Sequence, residues 1–165
     1  MRLNESIVIS APPKAVWDYL SDPGHYLKFM SGVTRWDVEG DKRSGCGARY
    51  RMLIRVGSAE VGGLIEIVEW DEPYDMAWSS VTGVDQRGRW RLRKTRDGRT
   101  RCELRFAYGV AGAGLTGWLS ELVASPGLGR HLRRSLHQLK RQVEQENLRA
   151  ESERRRAERE AAATG

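Results

Sequence analysis

The sequence predicts an α+β fold in which a curved antiparallel sheet wraps around a long C-terminal helix, with two short helices after the first strand. Three features carry this expectation. Ala48, Tyr50, Met52, Ile54 and Val56 alternate with Arg49, Arg51, Leu53 and Arg55, the period of two that marks a strand with one wet face and one buried face. The pattern returns as a hairpin around Asp97-Gly98: Gly88, Trp90 and Leu92 oppose Arg87, Arg89, Arg91 and Arg93, and Cys102, Leu104, Phe106 and Tyr108 oppose Arg101, Glu103 and Arg105. The apolar period then changes to that of a helix, through Leu115, Trp118, Leu119, Leu122, Leu128, Leu132, Leu136, Leu139 and Val143. A sheet that is apolar on one face needs a cover, and this helix supplies it.

The remaining elements follow in chain order. Leu3 to Ile9 reads as a strand closed by Ala11-Pro12-Pro13, where proline favours the start of a helix. From Lys14 the apolar positions Val16, Trp17 and Leu20 repeat at helical spacing, until Ser21-Asp22-Pro23-Gly24 breaks the pattern before a second short helix through Tyr26, Phe29 and Met30. Val33 to Glu39 is a strand, and Gly57-Ser58 turns the 48–56 strand into one from Ala59 to Trp70, whose internal Gly62-Gly63 predicts a bulge or sharp bend. Asp71-Glu72-Pro73 leads to a strand over Met76 to Val81. Ser125-Pro126-Gly127 predicts a kink or break in the long helix.

A chain of 165 residues fits one domain with a single core. The apolar stripe ends near Leu148, so residues 1–146 are expected to form a ligand-binding domain and 147–165 a charged helical or disordered tail. With 30% charged residues, a mean hydropathy of -0.60 and no apolar run of bilayer length, an integral membrane protein is excluded and a cytoplasmic location is expected. Cys46 and Cys102 show neither metal-ligand nor redox spacing and are expected as reduced thiols. The formal charge of +6 is concentrated: nine basic residues face two acidic ones between Arg87 and Arg105, whereas Lys140 to Glu160 is nearly balanced.

The opening Ser6-Ile7-Val8-Ile9-Ser10-Ala11-Pro12-Pro13-Lys14-Ala15-Val16-Trp17-Asp18-Tyr19-Leu20-Ser21-Asp22-Pro23, the Ser44-Gly45-Cys46-Gly47 turn and the Leu-rich segment from Leu128 to Val143 together resemble the START-like (SRPBCC) superfamily. The similarity runs from about Leu3 to Glu144 and is nearest to the polyketide cyclase/dehydrase and coenzyme Q-binding-protein-like branch. It implies a helix-grip fold and the binding of a hydrophobic small molecule such as a lipid, quinone or polyketide between sheet and helix.

By strand and helix phase, the expected wall is Met30, Tyr50, Met52, Ile54, Ile65, Ile67, Trp78, Trp90, Leu104, Phe106, Leu119, Leu122 and Leu132. The resemblance places the entrance near the second short helix, the strand turns and the Gly109 to Gly114 loop. No metal-ligand pair or catalytic motif stands out among His25, His131 and His137, although His25 near the entrance and His131 are candidate acids or bases. No cofactor and no metal are expected. A polyketide aromatase/cyclase-type enzyme is the alternative to a binding or carrier protein, and a regulatory partner-binding module is the third reading. Arg87, Arg89, Arg91 and Arg93 are candidates for transient contact with an anionic membrane surface. Nucleic acid is not an expected partner, because Trp90, Phe106 and Tyr108 point away from the basic face. The C-terminal helix is a candidate dimer contact.

Overall fold

The structure, a computed structural model, describes residues 2–109 and 126–163. Strand β1 (Arg2–Ile9) leads to helix α1 (Pro13–Leu20), which starts on a proline and buries Val16, Trp17, Tyr19 and Leu20. A 3-10 turn (Pro23–His25) follows, held at its start by the Asp22 carboxylate, which accepts the Gly24 backbone N–H at 2.8 Å. Helix α2 (Tyr26–Phe29) completes the helical interruption. Strands β2 (Val33–Glu39), β3 (Arg49–Val56), β4 (Ala59–Asp71), β5 (Asp75–Gly83), β6 (Asp85–Lys94) and β7 (Thr100–Gly109) then precede helix α3 (Pro126–Ala163). The expected break at Ser125-Pro126-Gly127 lies at the edge of the described residues, with Ser125 outside them. Leu115, Trp118, Leu119 and Leu122 lie outside the described residues.

The seven strands form one antiparallel sheet in the order β1-β7-β6-β5-β4-β3-β2, so the last strand comes back to lie beside the first. The alternation read from the sequence is realised in the register. Tyr50 lies opposite Ile65, Ile67 opposite Trp78, and Trp90 opposite Leu104, all buried on the concave face. On the convex face Arg49, Arg51 and Arg55 pair with Glu66, Glu39 and Glu60 at 2.6, 3.2 and 3.0 Å. Such exposed pairs add only about 0–1 kcal/mol each and serve mainly to keep that face wet.

The sheet bends at the predicted glycines. A Cβ at Gly63 would stand 2.0 Å from the Thr82 carbonyl oxygen, and one at Gly83, whose φ is +85°, would stand 2.2 Å from that of Gly62. Backbones approach here to distances that only glycine permits. Two register shifts in the β4–β5 pairing, at Leu64/Ile65 and Ile67/Glu69, add local twist in the same place.

Helix α3 covers the concave face and runs alongside β1. Leu132, Leu136, Leu139 and Val143 are buried along one stripe. At its flank, Arg133 meets Glu5 at 3.1 Å, the Lys140 ammonium donates to the Val8 carbonyl at 2.9 Å, and Glu144 accepts the Ser10 N–H at 2.7 Å. These contacts advance along both elements together, so helix and strand point the same way. Past Asn147 the helix is largely exposed, with Leu148 63% accessible.

Two outcomes test these contacts. The Trp78 indole lies directly over Gly88, where a Cβ would be 1.8 Å from Cζ2. Gly88→Ala is therefore expected to lower unfolding stability by about 1–3 kcal/mol in urea melts, the usual cost of overpacking a tight core. Partial burial works against ionisation of Glu144, but Lys140 and the Ser10 N–H prevail and hold its carboxyl below the ordinary range. A depressed carboxyl contributes stability that is present above its unfolded value of about 4.3 and is lost as pH falls through the folded value. Glu144→Gln is expected to cost about 1–2 kcal/mol at pH 7. The deficit against the parent should shrink as pH falls below about 4.3 and disappear once the parent carboxylate is itself protonated in the fold. A deficit unchanged at still more acidic pH would show that the contact is not ionic.

Candidate functional site

Eleven of the thirteen wall residues expected from the sequence fall within the described structure, and Leu119 and Leu122 lie outside it. Met30, Tyr50, Met52, Ile65, Ile67, Trp78, Trp90, Leu104, Phe106 and Leu132 are buried, while Ile54, near the end of β3, is half-buried. The side chains fall into two groups.

The first group is packed solid. Tyr26 stacks on Trp36 with ring centroids 3.9 Å apart, Trp36 stacks on Tyr50 at 5.4 Å, and Phe29 meets Tyr26 at 5.0 Å and Trp90 at 6.1 Å. These aromatics fill the space beneath α1 and α2, where each buries area worth roughly 1.5–3 kcal/mol. Tyr50 donates its hydroxyl to the Arg43 carbonyl at 2.7 Å, and burial pushes its pKa up to about 12. Cys102 belongs to the same filled region. It is fully buried, and burial raises its thiol far above the reactive range, whereas Cys46 is exposed.

The second group lies at the other end, around the start of β1, the end of β7 and the start of α3. Phe106 lies 6.4 Å from Trp78 and 5.9 Å from Tyr108, and it keeps 9% of its surface accessible. Leu3, directly opposite Phe106, and Leu128 are half-buried and pack against the same core. The chain leaves β7 at Gly109 and enters α3 at Pro126. Most of the Gly109 to Gly114 loop assigned to the entrance lies outside the described residues.

Polar groups are few on this surface. Among the described residues only Gln86, Thr100 and Ser135 are buried polar residues, and no Asp, Glu, His, Lys or Arg is buried. Thr100 is consumed by the Ala11 carbonyl at 2.7 Å. Gln86 sits opposite Tyr108 on the adjacent strand, which places an amide beside a phenol near the partly exposed end. Among the described residues the buried indole N–H of Trp78 has no hydrogen-bond partner. Among the described residues no group of three metal-ligating side chains is assembled.

One polar cluster stands at the rim. The Ser31 hydroxyl and His131 Nδ1 are 2.9 Å apart, and the Ser31 N–H donates to the Ser135 hydroxyl at 2.8 Å, which in turn donates to the His131 carbonyl at 2.7 Å. Gly32, at φ +84°, packs against the His131 ring. The residues after α2 are thereby pinned to α3. His25 is engaged elsewhere: its Nδ1 donates to the Tyr19 carbonyl at 2.9 Å and its ring stacks on Tyr19. His137 is exposed. Gln86 was readable from its phase with Gly88 and Trp90, and Leu3 from its phase with Ile7 and Ile9. Nothing in the sequence announces Ser31 or Ser135: Ser31 meets Ser135 and His131 across 104 and 100 residues of chain.

The basic hairpin is less free than its composition suggests. Arg89 pairs with Glu69 and lies 3.5 Å from Asp75, which also holds Arg91 at 3.2 Å, and Arg93 donates to the Leu92 carbonyl at 2.9 Å. Of the four arginines assigned to an anionic surface, Arg87 alone has no ion-pair or hydrogen-bond partner among the described residues. No described helix is long and apolar enough to cross a membrane.

Comparison with solved structures gives close likeness of fold at low identity. A Thermus thermophilus protein superimposes with a TM-score of 0.72 at 22% identity, covering 87% of this chain and 97% of that one. The Zhui aromatase/cyclase from a Streptomyces species gives 0.70 at 19% identity, with 87% and 93% covered. A START superfamily protein from Mycobacterium smegmatis gives 0.65 at 13% identity, with 87% and 97% covered. These likenesses establish the helix-grip architecture. A comparison with curated proteins found no match. The model of the family described as polyketide cyclase / dehydrase and lipid transport matches residues 1–144. With that match across the whole sheet and the packed part of α3, the chain belongs to this family.

Proposed function

We propose that the protein binds a hydrophobic small molecule under the start of α3, against Leu3, Ile54, Trp78, Phe106 and Leu128. The observation that carries this reading is the absence, among the described residues, of any buried ionisable acid or base other than phenol and thiol groups. A wall of this kind offers a guest apolar contact and little proton-transfer chemistry. Gln86 supplies polar atoms for orientation, and an acceptor oxygen on the guest would pair with the Trp78 N–H, which has no partner among the described residues. The favoured guest is therefore apolar but oxygenated, as a quinone or polyketide is, rather than a pure hydrocarbon chain.

A second reading, an aromatase/cyclase-type enzyme, draws on the Ser31–His131 contact at the rim. With Nδ1 occupied by the Ser31 hydroxyl, the other ring nitrogen of His131 is the one left to exchange a proton with an enolisable ketone. Cyclisation of a flexible chain gains most from confinement, so a single such group in an apolar hollow is a sufficient catalyst in principle.

Mass spectrometry of the purified protein under native conditions is expected to show a co-purifying apolar molecule. Ile54→Trp, which adds bulk at a half-buried wall position, should cut the occupancy by about tenfold, a loss of ~1.4 kcal/mol, while circular dichroism remains that of the parent. Equal occupancy in parent and variant would place the guest elsewhere. Incubation with a poly-β-keto substrate separates the two readings: turnover abolished by His131→Ala but unaffected in binding would establish the enzyme, and absence of turnover in the parent leaves the carrier.

A further inference from the structure

The convex face of the sheet carries a second recess. It has a volume of about 820 Å³ and runs across five strands, with Ala77 and Ala107 on its floor and Arg2, Arg87, Arg89, Arg105 and Glu69 on its sides. The registers fix their order. Arg2, Ala107, Arg87 and Ser79 form one cross-strand row, and Asn4, Arg105, Arg89 and Ala77 form the next.

The two rows differ in charge balance. Arg105 lies directly opposite Arg89, an arrangement that is unfavourable by itself. Here it is compensated, since Arg105 is held by Glu103 at 2.8 Å and Arg89 by Glu69 and Asp75. The other row has no such compensation. Arg2 and Arg87 flank Ala107 with no acidic partner among the described residues, and both are exposed. Their backbones are two strand spacings apart, ~10 Å, with only a methyl group standing between them. Two long guanidinium side chains on either side of a gap, with Ser79 in the same row, form a fork that suits a tetrahedral dianion.

We propose that this recess binds a phosphorylated small molecule, its phosphate seated over Ala107 between Arg2 and Arg87 and its body lying along the floor toward Ala77 and Val68. Leu3, Trp78 and Phe106 also border the recess, while Arg2, Arg87 and Ala107 form the cross-strand row next to theirs and alternate with them in facing. A bilayer is the poorer partner, because a flat surface meets the rims of a recess and not its floor. Val68 is the only large apolar side chain exposed within it.

The test uses inorganic pyrophosphate as probe, followed in amide correlation spectra of the full chain at low salt. Saturable shifts confined to Arg2, Ser79, Arg87 and Ala107 are expected. Arg2→Gln and Arg87→Gln should each weaken binding by about tenfold, the usual loss of one charge-assisted contact. Arg93→Gln, on the same face but outside the recess, should leave it unchanged, and Ala107→Glu should abolish binding while the thermal melt stays that of the parent. Non-saturating shifts spread over all exposed arginines, or an equal loss in Arg93→Gln, would overturn the site. So would binding to phosphatidylglycerol vesicles with no response to pyrophosphate, which would make the face a membrane contact.

Discussion

The close backbone approach at Gly62, Gly63 and Gly83 is the constraint on which the rest of the molecule depends. A seven-stranded antiparallel sheet with normal twist would leave its two edges far apart, and one helix could not serve both. Carbonyl contacts that exclude any Cβ, together with two bulges beside them, fold the sheet on itself within the β4–β5 pair. As a result α3 lies against β1 at one edge, while its residues His131 and Ser135 reach Ser31, next to β2 at the other. The concave face exists because three residues have no side chain.

That face is divided by what fills it. Beneath α1 and α2 a continuous set of rings from Tyr26 to Trp90 occupies the interior, and truncating any of them would leave a cavity costing about 3–5 kcal/mol. At the start of α3 the lining is thinner and its members retain some exposure. Stability is concentrated in one half of the grip and the proposed site in the other, so a guest need not disturb the packing that holds the sheet and helix together. The absence of buried charge among the described residues is consistent with this division. An ionised group in a dry apolar wall carries a penalty of several kcal/mol unless it is paired, and a wall without one needs no counter-ion from its guest.

Much of this was legible in the sequence, for a definable reason. Period-two alternation in 48–56 and 87–108 is a direct consequence of pleating, and it assigned Tyr50, Met52, Trp90 and Leu104 to the inner face correctly. Alternation reports which side a residue faces and nothing about what lies above it, so it could not separate Tyr50, locked in an aromatic stack, from Phe106, which remains partly accessible. The charge count is limited in a parallel way. It locates nine basic residues in one hairpin, but only strand pairing brings Asp75 and Glu69 alongside to neutralise Arg89 and Arg91 and leave Arg87 distinct. Ser31 and Ser135 were beyond reach altogether, because their roles arise from contacts that only the folded topology creates.

The rim cluster also constrains how a guest would reach the proposed site. The residues after α2 are tied to α3 by two hydrogen bonds, and Gly32 leaves no room between its backbone and the His131 ring, so opening that side would cost the hydrogen bonds and the ring contact together. On the opposite side, Leu3 and Leu128 are half-buried against the core, beside the Arg133–Glu5 pair that ties α3 to β1. Under the binding reading the β2 side of α3 is therefore the costly one to open, and under the enzyme reading His131 belongs to a part of the rim that stays closed.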